Sequence, residues 1–240
     1  DHNRGKGSFN LTMIGMMHLL QFYRPEDLRI SITLTRQTIE HVEQHLSFLH
    51  SLNIRQIHFT QLNPSGRATK NWFHICPTSA QWVKFMSFLA KYQKLMSHQI
   101  DFSGCLPHTL LMDGIDNVYE SCPLGRNLRI TASGHVFPCQ LATHPRFSIG
   151  ILGANNLTQI LNGNRLSSLF RLSRFRPYRI KECSDCIVRS FCQGGCFLFA
   201  FWEHGKLMAP DYLCSIRKKM FVNLIKERLK EKDSNCFILE

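Results

Sequence analysis

The chain has 240 residues, 44% of them hydrophobic, and 29 lysines plus arginines against 17 aspartates plus glutamates give it a formal charge of +12. That size and apolar content exclude a disordered chain and suit one large domain or two modest ones, each with its own core. The longest apolar stretch, Cys196 to Trp202, is seven residues; it is too short to cross a bilayer and reads as a buried segment, so no membrane partner is expected. The bases are spread out apart from Arg171 to Lys181 and Arg217 to Lys232. No aromatic-plus-basic motif accompanies them, so nucleic acid is not an expected partner.

The opening residues, Asp1 to Gly7, lack the apolar core of a signal peptide. A cytoplasmic location is expected, and the chain reads as a piece cut from something longer. Phe9, Met13, Met16, Met17 and Leu20 form a helical stripe with Ser8 as N-cap. Leu28 to Leu34 alternates and is rich in β-branched residues, which predicts a strand. Ile39, Val42, Leu46 and Leu49 mark the next helix, with His41 and His45 on its solvated edge. Ile54 to Thr60 is the next strand, and Asn63-Pro64-Ser65-Gly66 is a loop. Trp82, Phe85, Met86 and Leu89 mark a third helix to about Ser97, and Gln99 to Ser103 is a short extended piece. This order predicts an α/β fold with parallel strands and helical crossovers. Three strands are too few to close a barrel of about eight, but they suit the C-terminal half of one. Ligands of such folds sit beyond the C-terminal ends of the strands, after Leu34 and Thr60.

The texture changes near residues 104 to 121. Leu128–Thr131 and His135–Phe137 form a hairpin turned by Ala132-Ser133-Gly134. Short helices follow near Leu157–Leu161 and Leu166–Leu172, then cysteine-rich loop, then a helix from about Cys214 to Lys232. The expected domains are 1–104, 105–220, and a C-terminal helix and tail at 221–240.

Of ten cysteines, seven lie between Cys122 and Cys214; Cys76, Cys105 and Cys236 lie outside. Without a secretory signal, such clustering argues for metal rather than a disulfide framework. The densest run is Cys183-x2-Cys186-x5-Cys192-x3-Cys196. A Cys-x2-Cys turn brings two thiolates to one metal centre. Cys192 and Cys196, if helical, share one helix face, and Gly194-Gly195 leaves room for backbone beside a bulky cluster. Seven cysteines are too many for one zinc and one short of two four-cysteine sites. Cys76, beside Pro77, reads as a core or loop thiol.

The full order, Cys122-x11-Gly134-x4-Cys139, a gap, Cys183-x2-Cys186-x5-Cys192-x3-Cys196, a gap, then Cys214, resembles the SPASM domain. This is the auxiliary iron–sulfur domain at the C-terminus of many radical S-adenosylmethionine enzymes that modify peptides and proteins. The resemblance covers about residues 105–220, and Ile130 to Cys139 looks like its strand–turn–strand lead-in. Arg4-Gly5-Lys6-Gly7-Ser8-Phe9 resembles the segment after the fourth barrel strand, and Asn63 to Ala68 the loop after the sixth. The resemblance implies that Arg4 contacts the carboxylate of S-adenosylmethionine, and that Ser31–Thr35 and Phe59–Leu62, Leu62 included, line that cofactor.

It also implies two 4Fe-4S auxiliary clusters. The outer one would be held by Cys183, Cys186, Cys192 and Cys214. The one nearer the active site would be held by Cys122, Cys139 and Cys196, its fourth iron open or capped by a non-cysteine group or Cys105. Spacing alone leaves the partition open, because Cys192 and Cys196 could equally serve one cluster. The family's Cys-x3-Cys-x2-Cys loop, which holds a third 4Fe-4S cluster, is absent; Cys192-x3-Cys196 is followed at the required position by Phe199. The chain therefore resembles the back half of an oxidoreductase that, complete, would act on a peptide or protein and take electrons from a flavodoxin or ferredoxin. By itself it is expected to be inactive. The readings from other classes are a non-catalytic iron–sulfur electron-transfer or scaffold module and a zinc-binding interaction domain.

Overall fold

The computed structural model describes residues 4–95, 100–103, 122 and 124–236. Helix α1 (Ser8–Leu19) leads to strand β1 (Arg29–Leu34), helix α2 (Val42–Ser51) and strand β2 (Gln56–Gln61). A 3-10 turn, Gly66–Asn71, and the short helix α3 (Trp72–Ile75) precede α4 (Ser79–Leu95) and β3 (Ile100–Ser103). The three strands form one parallel sheet in the order β1-β2-β3, with Ile30 opposite Ile57, Ile32 opposite Phe59, and Phe59 opposite Phe102. The parallel crossover reading thus holds for the described residues.

Period-two alternation gives the sheet two unlike faces. On one, Ile57, Phe59, Ile100 and Phe102 meet Val42, Leu46 and Leu49 of α2 and Trp82, Phe85, Met86 and Leu89 of α4, all buried in one core. Phe59, Phe85, Trp82 and Phe102 pack mostly edge to face, with centroids 5.4 to 6.2 Å apart, the spacing favoured by ring quadrupoles. The other face is polar: Arg29 Nη2 and His58 Nδ1 lie 2.9 Å apart, and the Ser31 and Thr60 hydroxyls 3.1 Å apart.

Helix α1 departs from its expected packing. Only Met16 of the stripe is buried; Phe9 is 56% and Met17 52% exposed. Its N-cap is Gly7 at φ 85°, and Ser8 is the first helical residue instead. A left-handed residue before the first turn is where glycine costs least.

The second half begins with the hairpin β4 (Arg129–Ile130) and β5 (His135–Phe137), antiparallel, with Gly134 at φ 79° in the turn. A third strand that the sequence did not reveal, β6 (Gly150–Ile151), pairs with β5. Two residues are too few to show alternation. Then come α5 (Leu157–Leu161), started by an Asn156/Gln159 capping box, and α6 (Asn164–Phe175). The cysteine-rich stretch carries α7 (Arg189–Cys192) and α8 (Phe197–His204), and α9 runs Cys214–Cys236 and packs on α4. The expected break at 220/221 therefore falls inside one continuous helix. Among the described residues, no helix is long and apolar enough to cross a membrane.

Candidate metal centre

Cys76, Cys122, Cys139, Cys183, Cys186, Cys192, Cys196 and Cys214 all carry free thiols. Cys105 lies outside the described residues. The other seven of the sequence pattern fall into two groups.

Cys183, Cys186, Cys192 and Cys214 line one small cavity with Val188, Arg189, Gly194, Pro210 and Lys218. The chain reaches it from three directions. Cys183 ends a 3-10 turn started by Lys181, and Cys186 follows it after a tight turn whose Cys186 N–H donates to the Cys183 carbonyl at 3.3 Å. Cys192 closes α7 and Cys214 opens α9. Burial, then the nearby sulfurs of Cys192, Cys214 and Cys186, push the Cys183 thiol up to about 11. Burial also raises Cys214, with Arg217 opposing. Thiols crowded against one another in this way favour the protonated form until a cation replaces the protons.

Cys122, Cys139 and Cys196 form the second group and share the main core. Burial pushes Cys139 up to about 11, and the sulfurs of Cys196 and Cys122 add to it. Cys122 is raised first by burial and then by Cys196. Cys139 lies just past the β4–β5 hairpin, and Cys196 is the N-cap of α8. The structure therefore separates Cys192 from Cys196, a partition that spacing left open. The two do not share a helix face as expected. Gln193, Gly194 and Gly195 between them all have positive φ (52°, 75° and 69°), which ends α7 and turns the chain before α8 starts. Four residues of one helix would have kept the two thiols together; three left-handed residues send them to different sites.

Three charged residues that the sequence reading passed over lie at the heart of this region. Arg176, Asp211 and Arg217 are 0, 3 and 1% exposed. The Asp211 carboxylate accepts from the Cys196 N–H at 2.8 Å, from the Leu213 N–H at 3.1 Å, and from the Arg217 guanidinium. Bonds of this kind fix the backbone at Cys196 and just before Cys214, as the outer partners of a metal site do. The one sequence signal was Asp211 three residues before Cys214; nothing in the sequence marked two arginines among its surface bases as buried.

The two halves meet at Tyr212. Its hydroxyl accepts from Gln61 Nε2 at 2.6 Å and donates to the Leu62 carbonyl at 3.1 Å, and its ring packs on Trp72 and Phe199. The C-terminal end of β2 is thus tied to the segment that delivers Cys214.

Arg4 and Leu62 line a second feature, a cleft of about 1090 Å³ along the β1 edge of the sheet, lined from both faces of that strand. Ser31, Thr33 and Thr35 line it from β1 and beyond, with Met13 and Met16 from α1 and Arg67 from the turn after β2. Phe59 does not reach it; it is fully buried in the core. His45, expected on a solvated edge, is half-buried and lines the cleft, and burial lowers its pKa.

Cys76 stands apart from both thiol groups, and burial pushes it up to about 12. Almost none of it is thiolate at neutral pH. In the native protein at pH 8, iodoacetamide is expected to leave Cys76 unmodified by peptide mass spectrometry, and to label it fully in denaturant. Rapid native labelling would contradict this burial.

Residues 122–187 match the family profile described as SPASM, iron-sulfur cluster-binding domain. The chain is 28% identical over 215 residues to the mycofactocin maturase MftC of Mycobacterium tuberculosis, in strains CDC 1551 / Oshkosh and ATCC 25618 / H37Rv. The alignment covers 89% of this chain and 53% of the relative, so the chain spans about half the length of the curated relatives it matches. Among solved structures, it superposes on native anSMEcpe with bound AdoMet and Cp18Cys peptide with a TM-score of 0.60 and 17% identity, over 87% of this chain and 58% of that one. On Streptococcus suis SuiB bound to S-adenosylmethionine the TM-score is 0.55 at 16% identity, over 78% of this chain and 44% of that one. At these identities the structural likeness is one of fold.

Proposed function

We propose that this chain is the cluster-carrying back half of a radical S-adenosylmethionine enzyme that modifies a peptide or protein, and that it holds two 4Fe-4S clusters. The observation that carries the reading is the sorting of seven thiols into a four-cysteine cavity and a separate three-cysteine group. The outer cluster would be held by Cys183, Cys186, Cys192 and Cys214, the inner by Cys122, Cys139 and Cys196.

The residues fit such groups. Four thiols lining one cavity and three more grouped apart are a donor set of the kind that holds iron–sulfur clusters. When bound, the clusters supply one-electron redox chemistry. The chain's own part is to deliver the thiolates, to exclude water behind Phe197, Leu198 and Phe199, all about 1% exposed, and to fix ligand backbone through Asp211. Three thiols in the inner group leave a fourth position for a substrate or a further protein group.

The three parallel strands would complete the far side of a barrel, with the cleft of Arg4 and Leu62 as the S-adenosylmethionine site. The Arg4 guanidinium is suited to that cofactor's carboxylate. The maturase relative and the peptide-bound solved structure support a peptide or protein substrate. An acidic one-electron carrier such as a flavodoxin or ferredoxin would suit the chain's net charge of +12.

Anaerobic reconstitution tests the cluster count. The chain, expressed with as much of its natural N-terminal neighbour as it needs to fold, is expected to be brown. Cys183→Ala and Cys139→Ala are each expected to remove about four irons, from different EPR signals. Loss of the same signal in both variants, or a colourless zinc protein, would overturn the two-cluster reading.

A further inference from the structure

Two guanidiniums and one carboxylate are buried together between the thiol groups, so one positive charge is left over. Asp211 is already held by Arg217. Arg176 spends its donors on three neutral carbonyls: Nε on Leu207 at 2.7 Å, Nη1 on Gly195 at 2.7 Å and Nη2 on Ala209 at 2.8 Å. These bonds give each of its three nitrogens a partner but leave its charge unmatched. A buried unmatched ion costs several kcal/mol, so an anion is needed close by.

The carbonyls that Arg176 holds place it between the two thiol groups: Gly195 precedes Cys196 of the inner group, and Gly194 and Pro210, the chain neighbours of Gly195 and Ala209, line the outer cavity. Burial disfavours its charge, and Cys196, Asp211 and Cys183 favour it, with Arg217 opposing. Arg176 in turn stabilises the thiolates of Cys122 and Cys183. Cys122 and Cys196 belong to the inner group and Cys183 to the outer one. The Gly195 carbonyl it holds belongs to the peptide that leads into Cys196. Arg176 is therefore fully buried, rigidly held at three points, and within electrostatic reach of both sites.

From this we propose that Arg176 is a shared counter-charge for the two clusters, a positioning residue whose fixed positive charge raises the reduction potential of both. The inference rests on the two-cluster reading above. A site of four thiolates around a cubane carries net negative charge. Adding an electron makes it more negative, and a buried cation nearby in a low-dielectric interior favours that step. One cation serving both sites would move them together, whereas a surface charge would be screened.

The test is an EPR-monitored redox titration of the anaerobically reconstituted full-length protein, with the two signals assigned by Cys183→Ala and Cys139→Ala. Arg176→Met is expected to shift both midpoints to more negative potential with iron content unchanged. Arg179→Gln, an exposed neighbour, is expected to move neither. Arg176→Lys keeps the charge but gives up carbonyl bonds; it should hold both midpoints within replicate scatter of wild type while lowering the unfolding temperature. Movement of one midpoint only, of neither, or of both in the lysine variant would overturn the proposal, and the lysine variant decides the matter if the methionine variant fails to load. Absence of two cluster signals in the wild-type protein would instead overturn the reading on which it rests.

Discussion

Asp211→Ala is expected to destabilise the chain by about 3–5 kcal/mol, the cost of removing one partner from a buried ion pair. The substitution strands Arg217, which is 1% exposed, beside an Arg176 that already lacks a carboxylate of its own. It also frees the Cys196 and Leu213 N–H groups, held at 2.8 and 3.1 Å, each a buried donor with a desolvation cost of about 1–3 kcal/mol if left unpaired. These effects overlap and do not add. The second expected result is loss of iron from both groups, because Asp211 fixes the backbone at Cys196 in one and lies three residues from Cys214 in the other. Denaturant unfolding and iron analysis of the purified variant check both. A variant within about 1 kcal/mol of wild type with full iron would show that the pair is not a structural keystone.

Gly195→Ala is expected to be nearly as damaging, and for a reason its neighbour does not share. A Cβ at Gly195 would sit 2.7 Å from Asp211 Oδ2 and 2.8 Å from Arg217 Cζ, inside the ion pair. Neither side chain can swing away without giving up its partner. Gly195 also has φ 69°, where an L-residue costs about 1–2 kcal/mol before any contact is considered. Gly194 is the control: its φ is 75°, but the nearest heavy atom to a built Cβ is Pro177 N at 3.4 Å. Gly194→Ala should therefore show the backbone cost alone. Gly195→Ala should lose about 3 kcal/mol or more, together with inner-site iron. Equal effects of the two substitutions would place the whole penalty in the backbone and none in the ion pair.

Elements with a clear period were legible from the residues. The alternation of Leu28 to Leu34 and the spacing of Val42, Leu46 and Leu49 gave β1 and α2 within a residue or two at most ends, because both face the core on one side. Helix α1 was legible as a helix but not in its packing: Met16 alone is buried, and a stripe does not say what covers it. The hairpin was readable from Ser133-Gly134. Strand β6 was not, since Gly150-Ile151 shows no pattern and gains its place only by pairing with β5. In the candidate metal centre, residue type and spacing picked out the seven cysteines that the structure gathers into two groups. Which thiol joins which group was decided by three positive-φ residues, 193 to 195, and of these Gln193 gives no local hint of a left-handed backbone. The buried charges were the least legible. An arginine on a basic chain reads as solvated, and only the fold shows that Arg176 and Arg217 have no route to water.

The position of Cys214 at the first turn of α9 bears on the order of biogenesis. That helix packs on α4 of the first half, and Tyr212 just before it is tied to Gln61 and Leu62. The fourth thiol of the outer cavity therefore arrives only when the two halves have docked. The inner thiols, Cys122 to Cys196, are all made earlier, but the Asp211 that holds the Cys196 N–H is itself held by Arg217 of α9. Under the two-cluster reading, both sites would then be completed by the same helix, the outer through its Cys214 thiol and the inner through Arg217, and a chain stalled before residue 214 would leave the outer site with three thiols.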